Sequence, residues 1–217
     1  MTEKEMVKKE LIKYGNKMVR SGLVGGAGGN ISAKLGRIIY LSPSGYALDE
    51  MTEDSITGVD LDSGKIVEGT LRPTSEVLMH LECYRNRKEI NAVVHTHSPW
   101  ASGVISAGVS LKPMFPEFVA DLGEVGYLDY ILPTTKMLAD AVAQQIKNFN
   151  AILMANHGVI TVGRNLKEAY YRSVIIEEAA KSLVAATVVG KPRFLSREQI
   201  DQIKKLETIQ YRQKVIG

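Results

Sequence analysis

The chain has 217 residues, 45% of them hydrophobic and 24% charged, with a formal net charge of +3. This is enough chain for one large domain with a substantial core and the composition of an ordinary soluble globular protein, while scattered Lys and Arg exclude nucleic acid as an expected partner and leave room for an anionic substrate. The single cysteine, Cys83, excludes an intramolecular disulfide framework; with no apolar run of membrane-spanning length and no signal peptide in the charged opening Met1-Thr2-Glu3-Lys4-Glu5, a cytoplasmic protein without a membrane partner is expected.

Apolar positions from Met6 to Val19 recur at helical spacing, predicting a helix over residues 3–22 that Ser21-Gly22 closes. The dense glycine cluster Gly25-Gly26-Ala27-Gly28-Gly29-Asn30 then leads into a strand at residues 31–34. A second strand at residues 37–41 ends in Ser42-Pro43-Ser44-Gly45, and residues 56–60 and 65–69 form a hairpin around Asp62-Ser63-Gly64. Thr74 or Ser75 is expected to cap a helix through about Arg87, with Glu76 in its first turn and Cys83 as a small buried residue. Ala92-Val93-Val94 begins a strand, and residues 100–107 a short helix, with Trp100 expected in the core or between subunits. Pro113 and Pro116 bracket an irregular segment. A helix over 136–147, strands at 151–154 and 160–162, a long helix over 166–189 and a last helix over 197–214 complete the chain. The long helix is apolar on most faces and is expected to be buried or at a subunit contact. The whole reads as a single α/β domain over residues 1–217, with a central mostly antiparallel sheet flanked by helices.

The chemistry begins at His95-Thr96-His97. Residues two apart on a strand point to the same side, so two imidazoles about 7 Å apart along the strand can converge on one metal ion. A third histidine, His157, follows the apolar run 151–154 in Asn156-His157-Gly158, again where a strand breaks into a turn. The chain has only four histidines. Three at strand ends favour a metal over an incidental pair, and Glu76 is the natural anionic fourth ligand. Gly28-Gly29-Asn30, Ser44-Gly45 and Thr74-Ser75 offer backbone N–H groups, hydroxyls and a helix N-terminus, which together suit a phosphorylated small molecule. No Walker pattern occurs, and the glycine run does not join a strand to a helix as a dinucleotide fingerprint does.

In order and spacing, Gly28-Gly29-Asn30, Ser42-Pro43-Ser44-Gly45, Pro73-Thr74-Ser75-Glu76, His95-x-His97 and Asn156-His157-Gly158 resemble the class II aldolase/adducin family, over about residues 5–212. The resemblance implies one Zn2+ per subunit, held by Glu76, His95, His97 and His157; the same donor set also suits Co2+, Mn2+ or Fe2+. It implies a substrate phosphate held by Gly29, Asn30, Ser44, Gly45, Thr74 and Ser75, and a homotetramer with sites between subunits. The activity it implies is an aldolase that cleaves a ketose 1-phosphate, of the fuculose 1-phosphate kind, to dihydroxyacetone phosphate and a small aldehyde. The route is a metal-stabilised enediolate, with Glu76 as base. Epimerases of the family carry Asp where this chain has Glu76, which favours the aldolase. Aldolases take the acid from a neighbouring subunit's tyrosine, but Glu117 stands at that position, as a catalytic Glu does in methylthioribulose-1-phosphate dehydratases. Dehydration, or decarboxylation of an oxo-acid phosphate, is therefore the nearest alternative, and Tyr127 or Tyr130 could supply the missing phenol. Tyr211 falls near a site-lining tyrosine of the aldolase tail. Adducin-like members keep the fold without catalysis, and that reading predicts loss of metal ligands that are all present here. His80, one turn after Glu76, reads as a packing histidine with a conceivable supporting role at the metal.

Overall fold

The structure, a computed structural model, describes residues 1–216. Among these residues eight strands form one sheet: β1 (Asn30–Leu35), β2 (Ile38–Leu41), β3 (Thr57–Asp60), β4 (Ile66–Glu68), β5 (Ala92–Thr96), β6 (Gly126–Leu128), β7 (Ala151–Met154) and β8 (Gly158–Gly163). Their order is β4-β3-β2-β1-β5-β8-β7-β6. Every neighbouring pair is antiparallel except β6 with β7. Among the described residues there are seven α-helices: α1 (Glu3–Arg20), α2 (Val77–Asn86), α3 (Pro99–Ser106), α4 (Lys136–Ile146), α5 (Leu166–Val189), α6 (Arg197–Lys204) and α7 (Glu207–Ile216).

Both faces of the sheet are covered, which explains why β5, β7 and β8 read as unbroken apolar runs and not as alternating ones. Val93, Ile152, Ile160 and Val162 pack under α2 and α4 on one face. On the other, Ile31, Ala92 and Val94 meet α1 and the start of α5, while Leu153 and Val159 meet α3 and the middle of α5. The two-residue period of β5 therefore puts Val93, and after it His95, on the α2 side.

The helix ends follow local chemistry. Thr2 and Glu5 form a capping box on α1, and Ser196 with Gln199 does the same for α6. Three boundaries depart from the sequence reading. The helix expected to be capped by Thr74 or Ser75 has Glu76 itself at the cap, with no capping side-chain hydrogen bond, because a turn from Thr74 carbonyl to Val77 N–H precedes it. The Glu76 carboxylate is thereby left free of helix duty. The single final helix divides at residues 205–206 into α6 and α7, and α7 turns back so that Arg212 pairs with Asp121 at 2.8 Å. The irregular segment after Pro116 contains a π-helical turn, Phe118–Leu122, and the short edge strand β6 follows it. Trp100 is 47% exposed and so lies outside this chain's core, at the start of α3. The long helix α5 is buried as far as Leu183, but Val188 and Val189 project into solvent. Among the described residues, no helix is long and apolar enough to cross a membrane.

Candidate metal centre

The four proposed ligands come from three elements that end at one edge of the sheet. β5 delivers His95 and, just past its end, His97. The turn between β7 and β8 delivers His157, and the start of α2 delivers Glu76. The β7–β8 turn is tight: Asn156 has φ +55°, its N–H donates to Ser106 Oγ, and a Cβ on Gly158 would lie 2.2 Å from the Thr96 carbonyl oxygen. Only glycine lets β8 approach β5 that closely. Gly29 is required on two counts, a φ of +70° and a Cβ position 2.8 Å from the His95 carbonyl oxygen. The glycine loop therefore packs its backbone directly against the ligand strand.

The side chains converge. One ligand atom from each of Glu76, His95, His97 and His157 lies within 4.8 Å of all the others. His95 Nε2 is 3.1 Å from Glu76 Oε2 and 3.1 Å from His97 Nε2, and His157 Nε2 is 3.1 Å from Glu76 Oε1. His95 Nδ1 lies 3.0 Å from the Val159 carbonyl. It can only donate to that oxygen, which leaves the Nε2 lone pair facing the cluster. The residues fit a divalent cation. Glu76 Oε1 is buried without a hydrogen-bond partner, and imidazole nitrogens meeting around a buried carboxylate is an arrangement that a cation satisfies and a dry core does not. Three nitrogens and one oxygen is the donor set of a zinc-type catalytic site.

Electrostatics agree. Burial alone would raise the Glu76 carboxyl, but His95, His157 and the Asn30 amide outweigh it and hold it far below the usual carboxylate range. Loss of solvation, with His95 and His157 beside it, lowers His97 to about 4. Both groups are thus in their deprotonated, ligating forms at neutral pH. His80 is fully buried, and burial pushes it down to about 3.

The segments expected to hold an anion adjoin the candidate ligands through Asn30 and Thr74-Ser75. Pro43 and Pro73 form an antiparallel bridge, flanked by hydrogen bonds from Ser44 N–H to the Arg72 carbonyl and from Thr74 N–H to the Ser42 carbonyl. This ladder sets Ser44-Gly45 beside Thr74-Ser75, with Gly45 and Ser75 exposed. Asn30, on β1 opposite His95, is buried, and its amide is already engaged: Nδ2 donates to Glu76 Oε2 at 2.8 Å and Oδ1 lies 2.5 Å from His80 Nε2. Sequence reasoning assigned Asn30 to phosphate alone and missed Ser32 and Tyr84, which complete the same buried network.

Two candidates make no bond to the cluster. Glu117, at the start of the π-turn, and Tyr211, on the outer face of α7, are exposed and bond none of the four ligands. Tyr127 is not a free phenol, because its hydroxyl bonds the Leu111 N–H and carbonyl at 2.7 and 3.0 Å. Tyr130 is 55% exposed. A cavity of about 560 Å³ lies at the far end of β8, under α7, lined by Arg87, Asp121, Glu168 and Arg172 and remote from the histidines.

Fold and donor set together define a metal-dependent α/β enzyme whose site opens at the surface of the chain. Residues 9–184 match the family described as Class II Aldolase and Adducin N-terminal domain, and the chain belongs to that family. It is 37% identical over 201 residues to a 5-deoxy-D-ribulose 1-phosphate aldolase of Bacillus thuringiensis serovar kurstaki, covering 91% of this chain and 93% of that protein. It is 39% identical over 173 residues to an L-fuculose phosphate aldolase of Methanococcus vannielii, covering 80% of this chain and 93% of the relative. A solved L-fuculose 1-phosphate aldolase shares the fold at a TM-score of 0.86 with 31% identity, over 94% of this chain and 96% of that one. The chain is accordingly an enzyme of the class II aldolase type, a metal-dependent lyase.

Proposed function

We propose that this enzyme is a zinc-dependent aldolase that cleaves a ketose 1-phosphate to dihydroxyacetone phosphate and a small aldehyde. The observation that carries the reading is the placement of Glu76, His95, His97 and His157 beside the paired Ser44-Gly45 and Thr74-Ser75 segments. Glu76, His95, His97 and His157 would hold a divalent cation, which would supply Lewis-acid chemistry at the ketose carbonyl.

The chain's own groups do the rest. Ser44, Gly45, Thr74 and Ser75, with Gly29 and the second amide hydrogen of Asn30, hold the phosphate and so fix the C2 carbonyl relative to the ligands. Cleavage takes the C4 hydroxyl proton as the C3–C4 bond breaks, releases the aldehyde, and returns a proton to C3. Glu76 handles the C3 proton: in the condensation direction its carboxylate, ionised at rest, takes that proton, and in cleavage it first gains a proton from water and then passes it to C3. Glu117 takes the C4 hydroxyl proton and Tyr211 lines the pocket. Both act from a neighbouring subunit of a homotetramer, a reading supported by their exposure and by the absence of any bond to the ligands of their own chain.

One observation favours a second reading. A carboxylate at position 117, in place of a phenol, suits the removal of water from a ketose phosphate of the methylthioribulose type. Incubating zinc-loaded protein with fuculose 1-phosphate, 5-deoxyribulose 1-phosphate and related ketose 1-phosphates, and assaying dihydroxyacetone phosphate, separates the two. Release from at least one of them is expected. No release from any, with water loss from methylthioribulose 1-phosphate, would sink the aldolase reading.

A further inference from the structure

We infer that His80 is a positioning residue which, through Asn30, fixes the orientation of the Glu76 carboxylate at the metal centre. The inference rests on the four-ligand reading of the site and not on which bond the enzyme breaks.

The network is continuous. Asn30 Nδ2 donates to Glu76 Oε2 at 2.8 Å, and Asn30 Oδ1 lies 2.5 Å from His80 Nε2. His80 Nδ1 is 2.7 Å from Ser32 Oγ, which is 2.8 Å from the Tyr84 hydroxyl. All five side chains are buried. The proton positions follow one from another. A carboxylate facing a cation can only accept, so the NH2 of Asn30 faces Glu76 and its carbonyl oxygen faces His80. That oxygen also only accepts, so the His80 proton is on Nε2. Nδ1 then accepts from Ser32 O–H, and Ser32 in turn accepts from Tyr84 O–H. Reversing any member sets two acceptors or two donors face to face in the core, which is costly.

The geometry also separates positioning from packing. A histidine that only filled space beneath the sheet would need apolar neighbours and no directed partner. Both His80 ring nitrogens are instead committed, one toward Glu76 and one toward a fixed hydroxyl. The network joins α2 to β1, whose Asn30 pairs in register with the ligand His95. It therefore ties the carboxylate ligand to the strand beside the imidazole ligands.

The test uses Co2+ alone, without substrate, so it does not depend on the aldolase reading. In chelator competition His80→Leu should bind Co2+ about 10–100-fold more weakly, the usual effect of losing a ligand's supporting partner, and its visible d–d band should change. His80→Gln carries an amide N–H where Nε2 lies and should recover most of the affinity and the native band. Ser32→Ala should weaken Co2+ binding in the wild-type background and have no effect beside His80→Gln, because glutamine has no tautomer for Ser32 to fix. Wild-type affinity and spectrum in folded His80→Leu would overturn the inference, as would equal losses in the Leu and Gln variants. If His80→Leu fails to fold, full additivity of Ser32→Ala and His80→Gln overturns it instead. A wild-type chain that binds no Co2+ removes the metal reading itself and this inference with it.

Discussion

At the scale of single residues, the site is built from groups that stay deprotonated to a lower pH than they would in water, the form that binds a metal. His80, driven by burial to about 3, and His97, at about 4, resist protonation in the folded chain. Unfolded, each titrates near 6.5. Between about pH 6.5 and 4 the unfolded chain therefore binds more protons than the folded one, so stability rises with pH across that window and is lost as pH falls through it. The depressed carboxyl of Glu76 adds a loss of the same sign below the ordinary carboxylate range. Urea titrations of metal-free protein at about pH 7, 5.5 and 4.5 should show a steadily falling midpoint; a constant midpoint would mean that these histidines protonate freely in the native state. The ligands themselves are legible in the sequence, because a two-residue strand period and a Gly turn leave marks that survive without a structure. The link from His80 through Asn30 to Glu76 leaves no such mark. Helical spacing places His80 on the same face as Glu76, but which atom bonds which hydroxyl is decided by β1, 50 residues away in sequence.

Among the elements, the strands are legible because burial on both faces demands unbroken apolar runs, and α5 because its apolar stretch runs from cap to end. The break between α6 and α7 is not legible, since local propensity continues through it and only tertiary contacts to the π-turn select the bend. Arg212 reaches Asp121, and Gln213 reaches the Ala120 carbonyl. β6, only three residues long, is too short to show a period. The same corner of the fold holds a buried charge whose loss is measurable. Glu168 is 7% exposed and accepts from Arg164 and from Arg172 Nη2 at 2.9 Å, joining the β8 end to α5. Glu168→Gln leaves the Arg172 guanidinium buried without its counter-charge and should cost about 3 kcal/mol of unfolding free energy. Glu178→Gln, which breaks the exposed Lys181–Glu178 pair farther along the same helix, should change stability by less than about 1 kcal/mol. Equal effects in urea denaturation would show that the Glu168 pair is solvated like the other.

For the whole molecule, the question is how a site open at the surface becomes a closed reaction chamber. The four candidate ligands lie at the end of β5, the β7–β8 turn and the start of α2, whereas α7 is tied down at the opposite end of β8. There Arg164 donates to the Gln213 carbonyl and Lys167 to the Val215 carbonyl. Glu117 and Tyr211 are exposed and bond none of the four candidate ligands of their own chain. If Glu117 works on the neighbouring subunit's substrate in a ring, each site takes Glu76 from one chain and Glu117 from the next, which is a heterologous interface. Two inactive variants, Glu76→Gln and Glu117→Gln, unfolded together, refolded and reassembled at equal ratio, then regenerate intact sites wherever the two wild-type residues meet. For random assembly that is about one quarter of all sites, and activity should recover to about that fraction of wild type. The same variants refolded separately and then mixed without subunit exchange should stay inactive. No recovery after co-assembly would place Glu117 in its own chain's site, and near-normal activity of Glu117→Gln alone would make it an ordinary solvated carboxylate. The second result would move the group that takes the C4 hydroxyl proton to another residue, with Tyr130 the exposed phenol nearest in sequence to the π-turn.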